Sequence, residues 1–207
     1  MKGANLLELL EILIKGGPVM MPLLACSIIA LAVIIERILF WRRIADRRKS
    51  EEIISLIAQD ELSRASELSS SADSPITRVL ASGLAHKASS FTKAMEVAAR
   101  KETAVLKQRL TILDTIITLA PLLGLLGTVT GMIGSFGIMS QVGIGQPHAV
   151  TGGVAESLIA TATGLLIAIL TLVPYNYFSN RAEREMEEIE YYASRLELAL
   201  NGADEKK

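Results

Sequence analysis

Residues that carry chemistry are scarce in this chain. Of 207 residues, one is cysteine, two are histidine and one is tryptophan, and aromatics make up 4%. The lone cysteine, Cys26, can form no internal disulfide and no multi-cysteine metal site. It lies in an apolar run, where a small packed side chain is expected rather than a reactive thiol. His86 and His148 are far apart in sequence, and no Cys/His cluster or nucleophile motif accompanies them. The net charge is −1, from 21 Lys and Arg against 22 Asp and Glu, so no basic field points to nucleic acid. Neither an enzyme nor a metal or organic cofactor is expected.

What the chain has in quantity is apolar residues, 50% of the total, gathered in blocks. Two blocks dominate. The first reads APLLGLLGTVTGMIGSF, residues 120–136, and the second GVAESLIATATGLLIAILTLV, residues 153–173. Each, with its flanks, is long enough to cross a hydrocarbon core of roughly 30 Å, which takes about 20 helical residues.

Neither block is apolar all round. At about 100° per residue, Ala120, Pro121, Gly124, Gly127, Thr128, Gly131, Gly134 and Ser135 collect on one stripe of the first. On the second, Glu156, Ser157, Ala160, Thr161, Gly164, Ala168 and Thr171 form a polar and small face, interrupted by Ile167. Small residues let helix backbones approach closely in lipid, so Gly124, Gly127, Gly131, Gly134 and Gly164 are expected at helix contacts. Hydroxyls and a carboxylate inside a membrane need partners, and a charged acid at its centre costs at least about 2.5–3.5 kcal/mol. Two readings follow: a conduction pathway facing protein or water, or a tight helix pair with Glu156 at headgroup level. The glycines are no phosphate loop, because no Lys-Ser or Lys-Thr follows them.

In chain order, residues 1–17 read as a short amphipathic helix on the outer membrane surface, with two acids that argue against a secretory signal. Residues 18–41 form a first span closed by Phe40, Trp41, Arg42 and Arg43, with Glu36 in reach of Arg37 or Arg43. A basic patch from Arg37 to Lys49 opens a cytoplasmic helical region, 42–111, with a turn near residues 69–75. From Ile76 to Ile112 the pattern predicts a helix that runs unbroken into the second span, 112–139. Residues 140–152 form a short periplasmic loop without Lys or Arg, 153–178 the third span, and 179–207 a helix packed on the 76–112 helix. Basic residues crowd the exit of spans one and three and the approach to span two, which places those ends and the C-terminus in the cytoplasm and the N-terminus outside.

The two long strings, followed by VPYNYF and preceded by GGPVMMPLL, resemble the MotA/TolQ/ExbB proton-channel family, and most closely its ExbB/TolQ branch. The resemblance implies an all-α integral membrane protein of the bacterial inner membrane, with three transmembrane helices and long cytoplasmic helical extensions. It further implies a homo-oligomeric, pentameric ring around a single-span ExbD/TolR-like partner that carries a membrane aspartate. Protons would be the coupling ion, and the motion would pass to a TonB- or TolA-like protein. Thr128 stands at the threonine of the family's LGTV motif, Glu156 at the acid of GxxEAL and Thr161 at the threonine of ATAxGL. Ser157 departs from the alanine usual there. In the family these positions face the partner, which makes Thr128, Glu156 and Thr161 the expected proton-pathway residues. A MotA-type stator subunit would carry more spans and a larger cytoplasmic domain. A plain scaffold would account for the glycines but not for the polar face.

Overall fold

The computed structural model describes residues 16–44, 48–59, 61–70, 74–86, 90–142 and 147–204. The expected helix over residues 1–17 lies almost wholly outside them. Regular structure among the described residues is all helical: α1 (Met20–Arg43), α2 (Arg48–Ala58), α3 (Leu62–Ser70), α4 (Pro75–Ala85), α5 (Phe91–Leu106), α6 (Leu110–Val142) and α7 (Pro147–Asp204). Three stretches are long and apolar enough to cross a membrane: α1, Phe91–Ser140 with α6 in it, and Thr151–Leu200 within α7. Their large apolar side chains stand outward, among them Ile28 and Leu31 on α1, Leu122 and Ile133 on α6, and Leu170 and Val173 on α7. Such surface suits lipid, and helices suit it too, because each satisfies its own backbone hydrogen bonds.

The chain divides into two compact units. One comprises Met1–Ile35 and Arg109–Asn176, the other Glu36–Gln108 and Tyr177–Lys207. The first is built on α1, α6 and α7, with a core that includes Leu23, Cys26, Leu113, Ala120, Ala160 and Ala168.

In the second unit, α4 packs on α5, and α2 on α3. Ser74 starts α4 with a capping box: its hydroxyl accepts from the Thr77 N–H at 3.2 Å, and Thr77 Oγ1 accepts from the Ser74 N–H. Pro75 occupies the first turn, where its missing N–H costs nothing. Arg78 holds Glu102 through two bonds of 2.9 and 2.6 Å. The C-terminal part of α7 buries Ile189, Leu196 and Leu200 as its 3–4 spacing predicts. Thr92 on α5 donates to Glu197 at 3.1 Å, and Tyr192 donates to Glu51 on α2 at 2.7 Å.

Two expectations are corrected here. The 76–112 segment is not one helix running into α6: α4 ends at Ala85, and α5 ends at Leu106. Arg109 then turns the chain with a left-handed φ of 66° before α6 begins. No glycine or proline marks that break, but a residue far off in sequence meets it. Arg37 donates to the carbonyls of Val105 and Leu106, both at 3.3 Å, at the end of α5, where Val105 also accepts from the Gln108 N–H at 3.2 Å. Arg37 therefore does not belong to an exposed basic patch. It is 1% exposed and also grips Glu36 at 2.8 and 2.9 Å.

The second correction concerns the loop at 140–152. Helix α6 continues to Val142 and α7 starts at Pro147, so the described part of that stretch is helical. Pro147 suits the first helical position, and the adjacent pair Gly152-Gly153 is carried inside α7.

Candidate functional site

Helices α6 and α7 meet along their small residues. A Cβ added to Gly124 would lie 3.0 Å from Thr161 Cα, and one on Gly127 would lie 2.6 Å from Ala160 Cβ. One on Gly131 would lie 3.0 Å from Ser157 Cβ, and one on Gly164 would strike the carbonyl oxygen of Ala120. Gly153 stands against the Ser135 hydroxyl in the same way. The contacts descend α6 as they climb α7, so the helices are antiparallel. At Gly124 and Gly164 a side chain would strike backbone, and at Gly127, Gly131 and Gly153 it would strike the short side chains of Ala160, Ser157 and Ser135, which is why glycine serves the seam. Gly134 lies outside this seam: a Cβ there meets nothing within 4 Å. It lies about 60° to the side of Gly131, at the margin of the stripe.

The hydroxyls divide by their bonds. Thr128 donates to Leu125 O at 2.6 Å, Thr163 to Ile159 O at 2.8 Å, Thr171 to Ile167 O at 2.7 Å and Ser135 to Gly131 O at 2.9 Å, each back onto its own helix. Thr161 differs: its Oγ1 donates across the seam to Gly124 O at 2.9 Å. Each oxygen retains acceptor capacity for a water or a protonated carboxyl, though none can store a proton.

The seam has two flanks. Gly127 faces Val19 as well as Ala160, so its flank lies toward the start of α1. Thr128 is about 100° round from Gly127, on the opposite flank, and Thr161 meets Gly124 rather than Gly127. The two threonines, both half-buried, thus share the flank away from Val19. Glu156 does not join them. It stands about 140° from Thr161 round α7, and its carboxylate lies against Gly17, where α1 begins. The polar face read from sequence is therefore split, with Thr161 on one flank and Glu156 on the other.

Ala160, Gly153 and Gly17 are contact residues that the sequence reading left unassigned. The first two could have been found from their places on the small face of α7. Gly17 was legible only as a helix breaker, since nothing local tells which side chain it will meet. Among the described residues no group of three or more His, Cys, Asp or Glu could hold a metal ion.

Comparison with known proteins agrees with this architecture. The profile of the MotA/TolQ/ExbB proton channel family matches residues 71–191. The ExbB-like 3 biopolymer transport protein of Synechocystis sp. is 37% identical over 190 residues, covering 88% of this chain and 90% of that protein. Its ExbB-like 1 protein is 38% identical over 200 residues, covering 92% and 78%. The Tol-Pal system protein TolQ of Pseudomonas aeruginosa is 37% identical over 109 residues, covering 53% and 47%.

Proposed function

This chain belongs to the MotA/TolQ/ExbB proton channel family, and we propose that it is the ring-forming subunit of a proton-driven motor in the bacterial inner membrane. In this reading α1, α6 and α7 span the bilayer, and the N-terminus lies in the periplasm. The helical region between α1 and α6 and the end of α7 extend into the cytoplasm. Copies assemble as a homo-oligomer, a pentamer by family likeness. The ring encloses an ExbD/TolR-like partner with one span and a membrane aspartate. Proton passage past that aspartate changes ring-partner contacts, and the motion drives a TonB- or TolA-type envelope process such as outer-membrane import.

The observation that carries this reading is the split seam. The glycines consume one face of each helix in packing within the chain, while Thr128 and Thr161 remain together on a half-open flank. There their oxygens are available to order water or accept from a protonated carboxyl. Glu156, on the other flank, fixes helix stance rather than relaying to the partner. Each charge that crosses 100 mV supplies about 2.3 kcal/mol, enough to exchange a few hydrogen bonds and too little to refold a helix.

The test is co-purification from native membranes through a tag after Lys207, with native mass measurement of what is held. The reading requires several copies of this chain with a single-span protein carrying aspartate in its span. Only monomers, free of such a protein, would overturn it.

A further inference from the structure

Gly17 is held by two separate constraints. Its φ is +73°, a conformation side-chain-bearing residues rarely adopt. A Cβ added there would also fall onto Glu156 Oε1, and would lie 3.0 Å from Glu156 Cδ and 3.4 Å from Cγ. The turn it makes is the start of α1. The Gly17 carbonyl accepts from the Met20 N–H at 3.1 Å, and the Pro18 carbonyl from the Met21 N–H at 3.3 Å. The first N–H groups of a helix lack helical partners, and the dipole there favours negative charge. The Glu156 carboxylate lies against Gly17, at the end of α1 where that dipole favours it.

We infer that Gly17 positions Glu156. The left-handed turn clears a seat for the carboxylate at the start of α1, and this holds the acid on the α1 side of α7, away from the flank of Thr161. Glu156 thereby ties α7 to α1 and sets the stance of the helix that presents Thr161. The consequence for proton-driven activity rests on the proposed channel function; the seat itself does not.

A two-by-two cycle in the full chain, purified with its native partners into lipid nanodiscs, tests this. The variants are Gly17→Ala, Glu156→Asp and the pair, read by thermal midpoint and by proton-driven activity. Gly17→Ala should lower the midpoint by roughly 2–8 °C and cut activity about fivefold or more. Aspartate is one methylene shorter and withdraws from the new Cβ, so Gly17→Ala/Glu156→Asp should recover at least part of both losses. The backbone strain stays, so recovery is incomplete. Gly17→Asn separates strain from space: asparagine enters the left-handed region more readily but brings the same Cβ, so it should recover at most the part of the loss due to strain. Where Gly17→Ala fails to accumulate, accumulation of the double variant is the same test.

A silent Gly17→Ala, an equal loss in the aspartate background, or full recovery with asparagine would each overturn the inference. A midpoint cycle that shows the coupling while none of the four proteins has activity would keep the seat and reject the channel function instead.

Discussion

The hydroxyl of Thr161 on α7 donates to the carbonyl oxygen of Gly124 on α6 at 2.9 Å, across the seam that joins the two helices. Thr128 turns its hydroxyl back to Leu125 on its own helix. Two threonines assigned to one pathway therefore have different structural duties. Thr161→Val should destabilise the detergent-dispersed protein by about 0.6 kcal/mol, up to about 1.7, the range for interhelical hydrogen bonds in membranes. Thr128→Val should stay within about 0.5 kcal/mol of the parent. Both should lose proton-driven activity, and Thr130→Val, on the other flank of α6, should keep it. Unfolding titrations beside activity assays distinguish the two effects, and equal stability losses for the two threonines would contradict the assignment.

Gly164 and Gly134 form a second contrast. The Cβ of Gly164→Ala would meet the backbone carbonyl of Ala120, which has no rotamer to escape by. Overpacking of this kind costs about 1–3 kcal/mol. Gly134→Ala meets open space and gains helix propensity, so it should be neutral or stabilising by up to about 1 kcal/mol. Unfolding midpoints of the two variants decide this, and a costly Gly134→Ala would show that the stripe is wider than the seam.

Arg37 is a third case. Removing its guanidinium in Arg37→Ala takes one donor from each of the Val105 and Leu106 carbonyls and two hydrogen bonds from Glu36. Hydrogen bonds to charged groups are worth about 1.5–3 kcal/mol each, part of which water recovers at the half-exposed Glu36. Hydrogen exchange should report faster opening of the last turn of α5. Unchanged exchange there would mean that α5 ends for another reason.

The Glu51–Tyr192–Arg195 cluster predicts a pH window. Tyr192 and Arg195 lie beyond residue 178, where the third apolar run has ended, and Glu51 lies on α2, past the end of the first. Hydrogen bonds from Tyr192 and then Arg195 hold the Glu51 carboxyl below its ordinary value. Burial and the bond to Glu51 push the Tyr192 hydroxyl up to about 12. A lowered carboxyl pKa adds stability above the unfolded value, near 4.5, that is lost as pH falls through the folded value. A raised tyrosine pKa adds stability below the unfolded value of 10.0 that is lost as pH rises toward about 12. Tyr192→Phe should flatten the alkaline arm and weaken the acid arm. Circular dichroism melts across pH would show it, and identical alkaline arms in the two proteins would refute the linkage.

Much of this was legible in the sequence because membrane helices write their packing as periodicity. The stripe from Ala120 to Ser135 and the face from Glu156 to Thr171 could be projected directly, with Thr128, Glu156 and Thr161 on them, and the resemblance implied their role. Two features were hidden because the residues that meet are distant in sequence: Arg37 bonds the end of α5, and Glu156 lies against Gly17. The helix over residues 147–152 overrides a loop-like composition. Gly134 stands clear of α7 within the chain, because a stripe on one helix does not reveal how far its neighbour reaches.

The most direct test of the account is proton flux into liposomes holding the assembled protein with its co-purified partner, under an imposed membrane potential. The account predicts clear flux in the parent and its collapse in Thr128→Val/Thr161→Val, with the assembly still intact by native mass measurement. Full flux in that intact double variant would contradict the account, because the hydroxyl flank would then take no part in moving the proton.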